Sequence, residues 1–271
     1  MELLIDQLDV RYGSRVALER VTTRIGSGAI TAVLGPNASG KSTLLKSISG
    51  FLRPTSGSVM LDGMRTDQMD GPCRARKIAY VPQRSIPPGA MTVNEVVQLA
   101  RFASVAGRHR IEEVLARLHL EPIAGRPMQE LSVGQAQRVT LARALVQHEP
   151  GQCLLLDEPF SAMDMVSQEL ALQLLQELAG QGSMVILCLH QLELARSVAS
   201  AALILKEGRV LHDGPVESVI QPEVLEQVYG VRFMLLEPGG IPMPCSVARG
   251  PDQADTMEPW ESTSGSSSSS S

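Results

Sequence analysis

The apolar positions change their period along the chain. Near the start, the short runs Leu3-Leu4-Ile5 and Val16-Ala17-Leu18 are punctuated by Gly13-Ser14 and Gly26-Ser27-Gly28, which predicts antiparallel strands joined by turns. Ala29–Leu34, Ile78–Val81, Cys153–Leu156 and Met184–Leu189 are short continuous apolar runs. Such runs suit strands of a parallel sheet covered on both faces. A further strand over 58–61 ends at Asp62-Gly63, and 202–205 with 209–211 flank Glu207-Gly208 as a hairpin. Between these the period is helical. Val96, Val97, Leu99 and Ala100 predict a helix over 93–106, and Ile111, Val114, Leu115 and Leu118 predict one over 110–120. Ser132 can N-cap a helix running through Leu145, another amphipathic helix covers 165–179, and two short helices split by Pro222 fill 215–229. Residues 64–76 carry no pattern, and 84–93, with Pro87-Pro88-Gly89, read as a loop. The sum is an α/β domain over 1–248 with an N-terminal antiparallel β-subdomain and an inserted helical subdomain over about 84–145. The Ser-rich tail, 249–271, is expected to be disordered.

Composition narrows the function. Of 271 residues 44% are apolar, enough for a sizeable core, and the net charge is −5. An acidic chain with only 3% aromatics argues against nucleic acid as a partner. Cys73, Cys153, Cys188 and Cys245 are scattered and match no metal-binding spacing or disulfide framework, as expected in a reducing compartment. The N-terminus has no signal-peptide pattern, and no run reaches the roughly 20 apolar residues of a membrane helix. A membrane role must come through a partner.

The chemistry centres on Gly35-Pro36-Asn37-Ala38-Ser39-Gly40-Lys41-Ser42-Thr43, which matches the phosphate-binding pattern G-x-x-x-x-G-K-[ST]. It lies between a predicted strand and a predicted helix, the context that the pattern needs. Gly35 and Gly40 allow the backbone to wrap closely with its N–H groups turned inward, and the helix dipole points the same way. Lys41 would bridge the β- and γ-phosphates of a nucleotide, and Ser42 would ligate Mg²⁺.

Three further polar sites stand where apolar strands end: Gln83, the pair Asp157-Glu158, and His190. Ligands of open parallel sheets bind at such strand ends. Asp157 can hold the Mg²⁺ shell, and Glu158 can orient or deprotonate water. His190 can donate to the γ-phosphate, and Gln83 can ligate Mg²⁺ or hold the attacking water. Singly, Gln83 and His190 suit an ordinary loop and a structural histidine. Together, behind a phosphate loop, they form a constellation. Tyr12, before the Gly13 turn, can stack on a base or pack on a neighbour.

In this order the set resembles the nucleotide-binding subunit of ATP-binding cassette (ABC) transporters, over roughly residues 1–220. Gly35 to Ser42 looks like Walker A, Leu154 to Glu158 like Walker B, and Ser161-Ala162-Met163-Asp164 like the D-loop. Leu131-Ser132-Val133-Gly134-Gln135 resembles the L-S-G-G-Q signature, Gln83 the Q-loop glutamine, His190 the switch histidine, and Tyr12 the adenine-stacking aromatic. The resemblance implies a P-loop NTPase (RecA-like) core that hydrolyses ATP with Mg²⁺. It implies a head-to-tail dimer, presumed a homodimer, in which Ser132, Val133, Gly134 and Gln135 face the partner's ATP. It also implies a membrane permease contacted near Gln83–Val93, an indirect substrate-binding protein, and a peripheral place on the cytoplasmic face of the inner membrane. Val133 stands where the family has glycine, and a β-branched residue is expected to resist φ > 0 there. Ala38 also replaces a common glycine.

Met91-Thr92-Val93-Asn94-Glu95-Val96-Val97 and Leu225–Val231 resemble importer subunits for iron–siderophore, haem and cobalamin, although Gly107-Arg108-His109-Arg110 lacks that group's proline. Other cargo, such as a metal ion, and a non-transport cassette ATPase stay open as alternatives. A P-loop kinase with a helical lid is a third, which leaves the signature and His190 unexplained.

Overall fold

The computed structural model describes residues 1–83, 90–102, 108–236 and 243–247. The antiparallel strands come first: β1 (Glu2–Tyr12), β2 (Arg15–Gly26), β4 (Ser56–Leu61) and β5 (Met64–Arg65) form one sheet in the order β2-β1-β4-β5. The second sheet holds β3 (Ala29–Leu34), β6 (Ile78–Val81), β7 (Cys153–Asp157), β8 (Met184–Cys188), β9 (Ala201–Lys206) and β10 (Arg209–Pro215) in the order β10-β9-β3-β8-β7-β6. All its pairs are parallel except the β9–β10 hairpin.

The fully apolar strands face two cores in alternation. Leu154 and Leu156 of β7 enter one, and Cys153 and Leu155 enter the other. The second core also takes Leu3, Ile5, Val21 and Val59 from the antiparallel sheet and Leu44, Leu45 and Ile48 from α1 (Lys41–Ile48). The antiparallel sheet therefore packs on one face of the parallel sheet through α1. The opposite face takes α5 (Val133–Gln147), α6 (Met165–Gly180), α7 (Leu192–Val198), α8 (Val216–Val219) and α9 (Pro222–Tyr229). Cys153 and Cys188 are buried free thiols, and burial raises the Cys153 pKa to about 12.

The helical insertion contains α3 (Val93–Gln98), α4 (Arg108–Arg117) and the first part of α5. Thr92 caps α3 and Ser132 caps α5, each in a reciprocal box with Glu95 or Gln135. The expected helix over 93–106 is shorter than predicted, since α3 passes at Leu99 into a 3₁₀ turn ending at Phe102 and 103–107 lie outside the described residues. The second helix starts earlier and ends earlier than 110–120. His119 turns left-handed (φ 52°) and stops it, while Leu118 and Leu120 stay buried. Residues 64–76, read as unpatterned, hold β5, a 3₁₀ turn over 66–68 and α2 (Gly71–Lys77). Helix α2 buries none of its residues and so shows no apolar period. The Asp70 carboxylate starts it by accepting from the Cys73 N–H at 2.7 Å. Helix α7 and a C-terminal hairpin of β11 (Arg232–Leu236) and β12 (Met243–Val247) were also not foreseen. Of the predicted loop over 84–93, residues 84–89 lie outside the described residues, as does the tail from 249, and Val93 already belongs to α3.

His148, just after α5, is wholly buried, with Nε2 2.8 Å from the Ser183 hydroxyl and no partner for Nδ1. Burial, helped by the Arg110 charge, lowers its pKa to about 4. The unfolded chain takes up that proton near pH 6.5 and the native chain resists it, so the stabilisation is complete above pH 6.5 and is lost as pH falls towards 4. Denaturant unfolding should show about 2 kcal/mol less stability at pH 5 than at pH 7 from this group, a difference absent in His148→Gln.

Candidate functional site

Strand register builds the site. Val33 pairs with Cys188, Asp157 with Cys188, and Val81 with Leu156. The carboxyl ends of β3, β8, β7 and β6 therefore stand side by side, carrying the glycine loop, His190, Asp157-Glu158 and Gln83. A cleft of about 600 Å³ opens above them, lined by Tyr12, residues 37–43, Gln83, Glu158 and His190. Arg15 and Ala17 of β2 line it too, and no motif had pointed to them. Tyr12 is 50% exposed at its edge, available to a ligand rather than packed away.

The loop owes its path to its glycines. Gly35 lies at φ 140° and Gly40 at φ 110°, where other residues are strained. A Cβ on Gly35 would overlap the Leu205 carbonyl oxygen of β9, and one on Gly40 would come within 2.7 Å of the Ala17 carbonyl. Ala38 is left-handed as well, at φ 62°, which explains why glycine is the usual residue there. Gly40 begins α1, so the N–H groups of Lys41, Ser42 and Thr43 have no acceptor within the helix. They form the amide face that an anion needs. The Lys41 ammonium reaches back to the carbonyls of Gly35 at 2.9 Å and Pro36 at 3.1 Å. Burial pulls its pKa down, against the attraction of Glu158 and Asp157. Behind the loop, Tyr229 at the end of α9 stands beside the Gly35 backbone, and the Lys206 Nζ donates to the Gln227 carbonyl at 2.8 Å.

The two carboxylates differ. Asp157 is 2% exposed; burial raises its pKa, the Glu158 charge adds to this, and a hydrogen bond from Ser42 opposes it. Among the described residues its Oδ1 has no hydrogen-bond partner. A buried orphan carboxylate oxygen beside a serine hydroxyl fits a small hard cation that takes its remaining ligands from phosphate and water. Among the described residues no cluster of three His, Cys, Asp or Glu could hold a metal. Glu158, unlike Asp157, lines the cleft. Its Oε2 accepts from Gln83 Nε2 at 2.6 Å and its Oε1 contacts His190 Nε2. Gln83 and His190 thus converge on Glu158. Glu158 is itself left-handed, at φ 51°.

The signature lies elsewhere. Ser132, Val133, Gly134 and Gln135 open α5 and do not line the cleft. Val133 is the first helical residue, 76% exposed, and is not among the residues with positive φ. The expected conflict between a β-branched side chain and φ > 0 is therefore overturned, because a helical position accepts valine. Gly134 is the sterically required one, since a Cβ there would overlap the Ala162 carbonyl oxygen. Asp164 caps α6 by accepting from the Ser167 N–H at 2.8 Å. Gln137, which sequence reasoning passed over, is 7% exposed and bonded to the segment after Glu158.

A strand, glycine loop and helix with acidic strand-end neighbours define a phosphate-loop nucleoside triphosphatase. The family profile "ABC transporter" matches residues 18–161. The hemin import ATP-binding protein HmuV of Pseudomonas aeruginosa is 39% identical over 86% of this chain and 94% of its own length. The iron(3+)-hydroxamate import ATP-binding protein FhuC of Bacillus subtilis is 35% identical over 84% of this chain and 88% of its own. An ATP-binding cassette solved as a dimer bound to ADP and Pi superposes with TM-score 0.71 at 30% identity, covering 79% of this chain and 98% of that one. The chain belongs to the ABC transporter family. It is the ATP-binding subunit, in which ATP hydrolysis is coupled to transport.

Gly35→Ala should lower ATP affinity at least about 100-fold by calorimetry, since neither φ nor the Leu205 carbonyl leaves room. Gly125→Ala, with open space around it, serves as the control and should bind normally. Lys41→Ala should abolish nucleotide binding in the same assay, and unchanged affinity would count against the phosphate loop.

Proposed function

We propose that this subunit, as a homodimer on the cytoplasmic face of the inner membrane, powers import of haem or a related ferric chelate through a separate permease. The observation that carries the catalytic part is Glu158 held between Gln83 and His190 in the phosphate-loop cleft. Tyr12 stacks on the adenine. The loop amides and Lys41 neutralise the phosphates; Mg²⁺ would be held by Ser42, Asp157 and Gln83 and would supply further charge neutralisation to the polyphosphate. Glu158 accepts a proton from water as the water oxygen bonds to the γ-phosphorus. The bond from that phosphorus to the β,γ-bridging oxygen breaks, releasing ADP and phosphate. His190 donates to a γ-oxygen as its charge grows.

The dimer reading is supported by the separation of Ser132–Gln135 from the chain's own cleft, and by the dimeric cassette among its structural relatives. In the dimer these residues, with Asp164 nearby, close on the partner's nucleotide. Among the described residues no helix is long and apolar enough to cross a membrane, so transport requires the permease. Its contact is assigned to Gln83–Val93 and to the neighbouring groove of about 380 Å³ lined by Phe51, Arg74, Tyr80 and Pro82. Phe51 is 65% exposed there, with the Arg74 guanidinium 5.1 Å above its ring. The cargo reading is supported by the names of the haem and ferric-hydroxamate relatives and by a structural relative described as of metal-chelate type, with TM-score 0.72 at 27% identity, covering 90% of this chain and 96% of that one.

Glu158→Gln should bind ATP normally and lose turnover by about 100-fold or more in a phosphate-release assay; normal hydrolysis would remove Glu158 as the base. Reconstituted with its permease and binding protein, the wild type should drive haem uptake in vesicles with ATP on the subunit's side. Uptake of ferric hydroxamate or cobalamin but not haem would reassign the cargo.

A further inference from the structure

Gln137 sits one and a half turns into α5, on the helix that begins at the signature, yet its amide belongs to a different segment. Its Nε2 donates to the Glu158 carbonyl at 2.9 Å and to the Ser161 hydroxyl at 3.2 Å, while its Oε1 accepts from the Ala162 N–H at 3.1 Å. A buried amide with donor and acceptor both satisfied has one orientation, so these contacts lock the path from Glu158 to Ala162 onto α5. Gly134 strengthens the lock, because its missing Cβ lets α5 close on the Ala162 carbonyl.

That lock falls on a strained residue. Glu158 is left-handed at φ 51°, a conformation that is strained for a glutamate and persists only where neighbours impose it. Its N–H donates to the Cys188 carbonyl at 3.3 Å, and its carbonyl accepts from the Ser161 N–H at 3.4 Å, both long bonds. The 2.9 Å bond from Gln137 is the shortest of those to the Glu158 backbone. Relaxation of Glu158 to negative φ would turn its side chain away from Gln83 and His190.

We propose that Gln137 is a positioning residue for hydrolysis: it holds the left-handed backbone of Glu158, and so aims the carboxylate, without touching nucleotide. The inference rests on Glu158 as the base. It also makes α5 a strut between the Ser132–Gln135 segment and the carboxylate of the same chain's cleft, so a displacement of one end is delivered to the other through the Gln137 amide and the close Gly134–Ala162 packing.

The test compares Gln137→Met, of similar length but without the hydrogen bonds, with wild type and Glu158→Gln in the full chain. Gln137→Met should lower kcat for ATP by at least about tenfold, with KM within about threefold and the melting temperature little changed. A merely structural role would lower melting temperature and raise KM along with the loss of kcat, and that pattern overturns the proposal. So does a kcat within about twofold of wild type while Glu158→Gln is inactive. An active Glu158→Gln instead removes the base assignment and the proposal with it. Should Gln137→Met melt early, Gln137→Asn, which keeps the amide but stops one carbon short, carries the same contrast in kcat and KM, with the same outcomes decisive.

Discussion

The structure depends on backbone lying directly against backbone beneath the phosphate loop. Gly35 rests on the Leu205 carbonyl of β9, and Gly40 faces the Ala17 carbonyl of β2. The nearest atom to each missing Cβ is a backbone carbonyl oxygen, with the Leu18 side chain also against Gly40, so the loop takes its curvature largely from two strand backbones. This is why β3 must stand inside its sheet, with β8 on one side and β9 on the other. Once β3 is fixed there, parallel register delivers His190, Glu158 and Gln83 to the same edge. The antiparallel sheet contributes as well, because β2 closes the cleft through Arg15 and Ala17 while β1 ends at Tyr12.

Charge in the cleft is arranged in depth. Asp157 lies at the floor, where burial and the Glu158 charge both oppose its ionisation, and Ser42 and two lysines favour it. Lys41 is also partly desolvated, and its ammonium is held by two loop carbonyls. These opposed groups are costly to bury apart and are stabilised by each other and by a polyanion with its cation. Glu158 sits nearer the opening with both carboxylate oxygens engaged by groups from β6 and β8, so its direction is set by three separate strands. Binding and proton transfer are thereby divided between adjacent residues of one strand end.

Much of this was legible in sequence because it rests on local signals. The apolar runs of β3, β7 and β8 and the spacing of the phosphate loop name their own structures. The N-cap residue Ser132 marked the start of α5. Other parts left no such trace. Helix α2 is held by the Asp70 cap and by Arg74 lying over Phe51, not by an apolar stripe. Strand β11 alternates only between exposed and half-buried positions, and its sequence, Arg232-Phe233-Met234-Leu235-Leu236, lacks the polar–apolar alternation that reveals a strand. Val133 shows that a family position can be misread when its backbone is assumed: the helix, not a left-handed turn, occupies it, and the steric requirement lies one residue on at Gly134. Gln137 did carry a signal. It is a polar residue at a position that the period of Val139–Leu145 assigns to the buried face, and such a residue needs partners.

Gly35 has one more consequence. The carbonyl beneath it comes from residue 205, so the sequence that grips phosphate leaves the ribosome long before the part that shapes it. A nascent chain carries the motif without the pocket. The nucleotide site is therefore a late product of synthesis, completed when the C-terminal third of the polypeptide folds back onto a loop translated near its beginning.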